Sequence, residues 1–165
     1  MEEAWGYLRN KGYHNQYEND WMVIVPDSVM VGRVVTAQYM PLRPDMDKLI
    51  KDKGKEEGRI GASNSWPIDV LKEGDVYVAD SYGKIVDGTL IGDNLGNSIY
   101  TKTGNGVVYD GALRDINGLK EIKSFTSFFR SYHPSHHLNN PDGELNTTLV
   151  GINKPTRIGQ ATVMP

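Results

Sequence analysis

Residues 74–115 read GDVYVADSYGKIVDGTLIGDNLGNSIYTKTGNGVVYDGALRD, and their pattern decides the fold class. Apolar and β-branched residues fill 74–80 and 106–110, and a glycine opens each run, which is typical of two buried strands. Residues 90–103 between them carry apolar residues at helical spacing, and Gly104 follows as a C-terminal helix cap. A strand, a helix and a second strand in this order predict a β-α-β crossover with a parallel strand pair.

The rest of the chain is rich in predicted strands. Strands are predicted at residues 21–25, 30–40, 125–132, 147–152 and 161–164. Helices are predicted at residues 2–12, 45–58, 66–71 and 115–122. The predicted fold class is therefore α/β, with the sheet dominating.

Composition excludes several classes of function. The chain has 165 residues, which fits one domain, and its net charge of −3 argues against nucleic-acid binding. It has no cysteine, which excludes thiolate metal sites and a cysteine nucleophile and fits a reducing compartment. No run approaches the roughly 18 apolar residues of a membrane span, and the acidic, polar start does not resemble a signal peptide. We therefore expect a cytoplasmic protein that binds neither membrane nor nucleic acid.

Charged residues follow both buried strands of the predicted crossover. Asp93 opens the predicted helix, and Arg114 and Asp115 follow the second strand. Ligands of α/β sheets bind beyond the carboxyl ends of parallel strands, so these side chains are candidates for a site. Arginine can clamp a carboxylate and aspartate can hold a hard cation. Taken singly, each residue also fits a helix cap or a surface charge.

The spacing of these residues resembles a known family. Asp93, twenty intervening residues and the Arg114-Asp115 pair form a D-x20-R-D pattern. In this the chain resembles the RraA-like family, which includes 4-hydroxy-4-methyl-2-oxoglutarate / 4-carboxy-4-hydroxy-2-oxoadipate aldolases and the regulator of ribonuclease E activity A. Some members were formerly labelled demethylmenaquinone methyltransferases. The blocks that carry the resemblance are residues 31–36, 74–80, 92–95 and 106–115.

The resemblance implies an architecture. We expect one RraA-like domain over residues 1–165, a three-layer β/β/α swivelling domain with a mixed sheet. The family continues beyond Val163 and has helices before its first strand, so the chain is expected to be truncated at its C-terminus and possibly at its N-terminus. Homotrimers or hexamers are implied, with active sites at subunit interfaces. An acidic residue from the neighbouring subunit is also implied, and the sequence does not identify it.

The resemblance also implies roles for the site residues. Asp115 would carry a divalent cation, Mg²⁺ or Mn²⁺, largely through waters. Arg114 would bind the carboxylate of a pyruvyl group, and Asp93 would hold a water of the cation beside the substrate. Backbone amides would add substrate contacts at Asn94, Leu95 and Gly96.

The implied reaction is that of a class II, metal-dependent aldolase. It cleaves the C3–C4 bond of a 4-hydroxy-2-oxo acid and releases pyruvate. A cation and a fixed arginine stabilise the pyruvate enolate, and a carboxylate-held water removes the C4 hydroxyl proton. Oxaloacetate decarboxylation passes through the same enolate. The alternative is a non-catalytic, protein-binding regulator of a ribonuclease on the same fold.

Two other chemistries are weaker interpretations. His133, His136 and His137 suggest zinc, but Pro134 and Ser135 break helical spacing, so incidental or substrate-facing histidines are favoured. A Schiff-base aldolase needs a buried lysine. The lysines considered for that role are predicted to lie on the surface: Lys102, Lys120 and Lys123.

Overall fold

A six-stranded mixed sheet forms the centre of the computed structural model, which describes residues 2–136 and 145–165. Its strands are β1 (Met22–Val23), β2 (Arg33–Pro41), β3 (Asp75–Lys84), β4 (Val107–Leu113), β5 (Ser127–Tyr132) and β6 (Thr147–Ile152). Their spatial order is β1-β5-β4-β3-β2-β6. Strands β2 to β5 run parallel, and β1 and β6 pair antiparallel at the two edges.

Helices and a short hairpin complete the described part of the chain. The helices are α1 (Glu2–Asn10), α2 (Pro44–Glu56), α3 (Trp66–Asp69), α4 (Asp93–Thr103) and α5 (Ile116–Glu121). Strands β7 (Thr156–Ile158) and β8 (Ala161–Val163) form a separate antiparallel pair. No helix among the described residues has the length and apolarity that crossing a membrane requires.

The predicted crossover is confirmed. Strands β3 and β4 are parallel neighbours, and α4 connects them. Gly104 ends α4 in the left-handed conformation at φ 69°, where its N–H donates to the carbonyl of Tyr100 at 2.8 Å. The helix begins at Asp93 rather than at residue 90, because Ile91 forms a β-bridge to Leu113 at the end of β4.

The two faces of β3 show that the fold has three layers. Tyr77 and Ala79 lie in the core that packs against the helices. Val76 and Val78 point to the opposite face and pack with Ile158 of the β7–β8 hairpin. The hairpin, the sheet and the helices thus form a β/β/α sandwich, which confirms the predicted architecture.

Strands β1, β3 and β7 differ from the sequence prediction. Strand β1 has two residues instead of the predicted 21–25. Strand β7 was not predicted, because its three residues are too few to show an alternating pattern. Strand β3 also continues to Lys84, past a register shift after Asp80 that interrupts its alternation.

Asp75 fixes the start of the β2–β3 pair. Its carboxylate is buried, and Oδ1 accepts hydrogen bonds from Arg33 Nε at 2.9 Å and Nη2 at 2.6 Å. Oδ2 accepts a hydrogen bond from the backbone N–H of Lys72 at 2.8 Å. Asp75→Ala is expected to lower the free energy of unfolding by about 1–3 kcal/mol, because these donors lose their partner.

Urea denaturation measures this change. Asp45→Ala is the control, because Asp45 pairs with Arg43 on the exposed surface and its loss should change stability little. Equal midpoints for Asp75→Ala and the wild type would contradict this role of Asp75.

Candidate functional site

The segment before α4 and the end of β4 lie side by side. The backbone N–H of Arg114 donates to the carbonyl of Ile91 at 3.1 Å. Gly92 consequently packs against the side chains that follow β4. A methyl group at Gly92 would overlap Asp115 Oδ2 and would lie 2.8 Å from Arg114 Nε. The absence of a side chain at this position therefore leaves the room that Asp115 and Arg114 occupy.

Asp93 reaches the same region from the other direction. It is the first residue of α4, and its carboxylate packs against α5, where a methyl group at Gly118 would lie 2.7 Å from Asp93 Oδ2. Gly118 follows Asp115 by one helical turn. The structure therefore brings Asp93, Arg114 and Asp115 together at the carboxyl ends of β3 and β4. The chemical roles of the three side chains remain predictions.

Arg114 is held in place and still has donors to offer. Its Nη1 donates to the carbonyl of Thr89 at 3.0 Å, and its Nε lies 3.0 Å from Asp115 Oδ2. A guanidinium has five N–H donors, and these two contacts use two of them. Among the described residues Nη2 has no hydrogen-bond partner, so it can donate two hydrogen bonds to a ligand.

Asp115 adopts an unusual backbone conformation. It precedes α5 at φ 55° and ψ 40°, in the left-handed region that aspartate tolerates better than most residues. The turn closes as Leu119 N–H donates to its carbonyl at 3.0 Å. The Asp115 side chain is 39% exposed, so its carboxylate is open to a ligand from solvent.

The first turn of α4 contains the remaining predicted residues. The N–H groups of Asn94 and Leu95 lie in the first turn, where a helix provides no carbonyl partner. The N–H of Gly96 donates to the carbonyl of Gly92 at 2.9 Å and is thus used within the helix. A methyl group at Gly96 would overlap Leu119 Cδ2, which explains the glycine at this position. Substrate contacts by Asn94, Leu95 and Gly96 remain a prediction.

A cleft opens beside Asp115. Its volume is about 790 Å³. Asp115, Lys120 and His133 contribute ionisable groups to its wall. Apolar residues from β1, α5, β5 and the following segment form much of the remainder: Met22, Val23, Ile24, Ile116, Phe129 and Pro134. The cleft wall therefore combines apolar side chains with polar ones, including Asn117 and Tyr132 beside Asp115.

The histidine-rich segment joins the site through one of its histidines. The His133 N–H donates to the carbonyl of Leu113 at 2.9 Å, immediately before Arg114. His136 is exposed and forms a β-bridge with Thr89, and His137 lies outside the described residues. Within residues 2–136 and 145–165, no group of three or more His, Asp or Glu side chains is placed to hold a metal ion.

Sequence analysis missed Lys84. This lysine is buried, and its Nζ donates to the carbonyls of Val86 and of Gly88, the latter at 2.9 Å. Burial lowers the pKa of Lys84, and the nearby Asp87 carboxylate partly offsets that effect. The Lys84 ammonium thus holds together the loop that leads to Thr89, whose carbonyl accepts a hydrogen bond from Arg114. Gly83 and Gly88 lie on either side of this loop, but no local pattern of the sequence identifies a buried lysine.

Lysines considered for Schiff-base chemistry lie on the surface, as predicted. Lys102, Lys120 and Lys123 are all exposed. None of the three has the buried environment that a Schiff-base lysine needs.

A comparison with protein families gives one result over nearly the whole chain. The sequence-family model described as RraA-like, Aldolase/RraA, matches residues 3–165. No curated protein matches the sequence.

Solved structures with the same fold are longer than this chain. Streptomyces coelicolor RraAS2, described as an unusual member of the RNase ES inhibitor RraA protein family, superposes with a TM-score of 0.74 at 21% identity, covering 99% of this chain and 71% of that one. The RNA-processing inhibitor RraA from Thermus thermophilus superposes with a TM-score of 0.59 at 19% identity, covering 90% of this chain and 74% of that one. A Geobacillus kaustophilus protein is described as an S-adenosylmethionine: 2-dimethylmenaquinone methyltransferase. It superposes with a TM-score of 0.63 at 15% identity, covering 100% of this chain and 86% of that one. At these identities the likeness shows the fold.

Proposed function

Because the chain belongs to the RraA-like family, we propose that it is a divalent-metal-dependent lyase that cleaves a 4-hydroxy-2-oxo acid to pyruvate. The family includes both aldolases or decarboxylases and inhibitors of RNase E, so membership alone does not decide between them. The observation that carries the proposal is the convergence of Asp93, Arg114 and Asp115 at one place beside a cleft. Oxaloacetate decarboxylation is proposed as a related activity of the same site.

Arg114 provides the carboxylate clamp of this proposal. Its contacts with Thr89 and Asp115 fix the guanidinium plane, and the two N–H groups of Nη2 remain for a ligand. A charge-assisted hydrogen bond from a fixed guanidinium both binds and orients a carboxylate. The C1 carboxylate of a 2-oxo acid is the group that we place here.

Asp115 would hold the divalent cation. Mg²⁺ is usually bound through one or two carboxylates and keeps several waters, and Asp115 has an accessible carboxylate. The donor set therefore fits a hydrated Mg²⁺ or Mn²⁺. Such a cation, when bound, acts as a Lewis acid towards the 2-oxo group.

Asp93 is proposed to act at C4, the outer carbon of the C3–C4 bond that breaks. Retro-aldol cleavage removes the C4 hydroxyl proton, breaks the C3–C4 bond and places its electron pair on C3, which then takes up a proton to give pyruvate. A carboxylate that accepts the C4 proton through one water fits this step. Asp93 lies against Gly118, where no side chain separates it from the start of α5.

Assembly and location complete the proposal. RraA family proteins form oligomers, and we propose that this chain forms a homotrimer or a hexamer. A small 2-oxo acid is the proposed ligand, without nucleic acid or membrane, in the cytoplasm. The alternative, a protein-binding regulator of a ribonuclease, has no need of a carboxylate clamp beside a cation site. Capture of ribonuclease E by a protein with no lyase activity would favour that alternative.

Pyruvate release tests the lyase proposal. We expect the purified protein to release pyruvate from 4-hydroxy-2-oxo acids or oxaloacetate with Mg²⁺ or Mn²⁺, and not with excess EDTA. Asp115→Asn should raise the metal concentration needed for half-maximal activity by at least about tenfold, the lower end for changes around a metal site. A coupled lactate dehydrogenase assay measures the release, and Asp45→Asn on the exposed surface is the control. No pyruvate from any acid of the panel, or an unchanged metal requirement in Asp115→Asn, would contradict the assignment.

A further inference from the structure

His133 belongs to the same hydrogen-bond network as Arg114. Its ring Nδ1 accepts a hydrogen bond from the N–H of Ser135 at 3.2 Å. The carbonyl of Ser135 accepts from the N–H of Thr89 at 3.2 Å, and the carbonyl of Thr89 accepts from Arg114 Nη1 at 3.0 Å. His133 N–H donates to Leu113, so both its backbone and its ring are tied to the site.

This network selects one form of the imidazole. A backbone N–H can only donate, so Nδ1 must be the acceptor and carry no hydrogen. In the neutral ring the hydrogen then resides on Nε2. His133 is half-buried and lines the same cleft as Asp115 and Gly118. Among the described residues Nε2 has no hydrogen-bond partner, so the nitrogen left for a ligand is a hydrogen-bond donor on a residue of the cleft wall.

We propose that His133 is a further substrate-binding residue, and that its Nε2–H donates to the oxygen on C4 of the 4-hydroxy-2-oxo acid. The inference rests on the proposed function. With the C1 and C2 end of the substrate held at Arg114 and Asp115, its C4 end would extend into the cleft, whose wall contains both Asp115 and His133. A donor on the C4 oxygen stabilises the negative charge that develops there as the hydroxyl proton leaves, so it acts in the transition state.

The cleft also determines which substrates fit. Lys120 of α5 contributes an exposed ammonium to its lining. Apolar side chains such as Phe129 and Pro134 belong to the same lining. We therefore expect substrates with an oxygen on C4 and an apolar substituent at that carbon to be cleaved efficiently.

If His133 had a purely structural role, its variants would behave differently. The Nδ1 contact with Ser135 closes a local turn and would by itself account for a histidine here. His133→Asn keeps an acceptor near the position of Nδ1 but removes Nε2. His133→Gln places an amide N–H near the position of Nε2 but removes the acceptor at Nδ1. The two variants therefore separate the turn from the substrate contact.

Kinetics with the full chain and Mg²⁺ test the inference. The substrate is the 4-hydroxy-2-oxo acid that the wild type cleaves fastest, beginning with 4-hydroxy-4-methyl-2-oxoglutarate. We expect His133→Asn to keep the wild-type melting temperature and the wild-type inhibition constant for pyruvate, which lacks C4. Its kcat/KM should fall by about 100-fold, the lower end for loss of one such donor. His133→Gln should retain more activity, and His14→Gln, at an exposed histidine outside the cleft lining, should match the wild type.

A spectroscopic measurement accompanies the kinetics. Long-range ¹⁵N NMR of the imidazole should show a hydrogen on Nε2 and none on Nδ1. An active wild type together with an unimpaired His133→Asn would overturn this inference and leave the proposed function standing. A wild type that neither releases pyruvate nor binds it would overturn both.

Discussion

Arg114→Ala is expected to lower kcat/KM for pyruvate release by about 100-fold or more. The variant loses hydrogen bonds from a charged donor to the substrate carboxylate, each worth about 1.5–3 kcal/mol, and two of them correspond to a factor of at least 100. The effect should appear mainly in KM, because the carboxylate contact exists before the C3–C4 bond breaks. Steady-state kinetics of pyruvate release at saturating Mg²⁺ measure the change.

The local contacts of Arg114 require a second variant. Nη1 also binds the carbonyl of Thr89, so Arg114→Ala removes a structural contact along with the clamp. Arg114→Lys keeps a positive charge but lacks the planar fork, and it should recover only part of the loss. Added guanidinium should partly rescue Arg114→Ala, whereas it should not help Arg114→Lys. If Arg114→Ala retained the wild-type KM, the carboxylate of the substrate would bind elsewhere.

The crossover could be predicted because its signals are local. Alternating or continuous apolar residues in 74–80 and 106–110 and helical spacing before Gly104 are properties of short windows of sequence. The parallel pairing of β3 and β4 then follows from the length of the connection between them. Strand β7 lacked such a signal, because its position depends on packing over Val76 and Val78.

The candidate site was predictable only in part. The carboxyl ends of two neighbouring parallel strands must lie close together, so sequence alone could place Asp93 near the Arg114-Asp115 pair. The contacts that orient the pair come from segments with no pattern of their own. The carbonyl of Thr89 accepts from Arg114 Nη1, and the carbonyl of Ser135 accepts from the N–H of Thr89. Backbone carbonyls are the acceptors in both contacts, and the identity of a side chain does not reveal where they lie.

The burial of Lys84 could not be predicted either, because the segment around it has no sequence pattern that reveals its contacts. Lysine is almost never fully buried, so a sequence argument places it at the surface. Here two backbone carbonyls surround the ammonium and compensate for its lost hydration. The loop conformation that supplies these carbonyls is a consequence of the fold and is not visible in residues 84–88.

Gly92→Ala is expected to abolish most activity while the protein remains folded. The backbone at Gly92, φ −132° and ψ −162°, suits any residue, so the added methyl group acts through its contacts alone. That methyl group would overlap Asp115 Oδ2 and crowd Arg114 Nε, and both side chains must move. A displacement near 1 Å in a catalytic arrangement costs about 100-fold in rate, whereas the overpacking itself costs about 1–3 kcal/mol of stability.

Activity and thermal unfolding, measured on the same preparations, test this expectation. Gly6→Ala in α1 is the matched control, because a methyl group there meets nothing within 4 Å. It should leave activity unchanged and thermal stability equal or slightly higher, since alanine favours a helix more than glycine does. Full activity in Gly92→Ala would mean that the positions of Asp115 and Arg114 do not matter to the reaction. Since the three atoms nearest the added methyl group all belong to these two side chains, a selective loss of activity would instead locate the chemistry at this junction of α4 and β4.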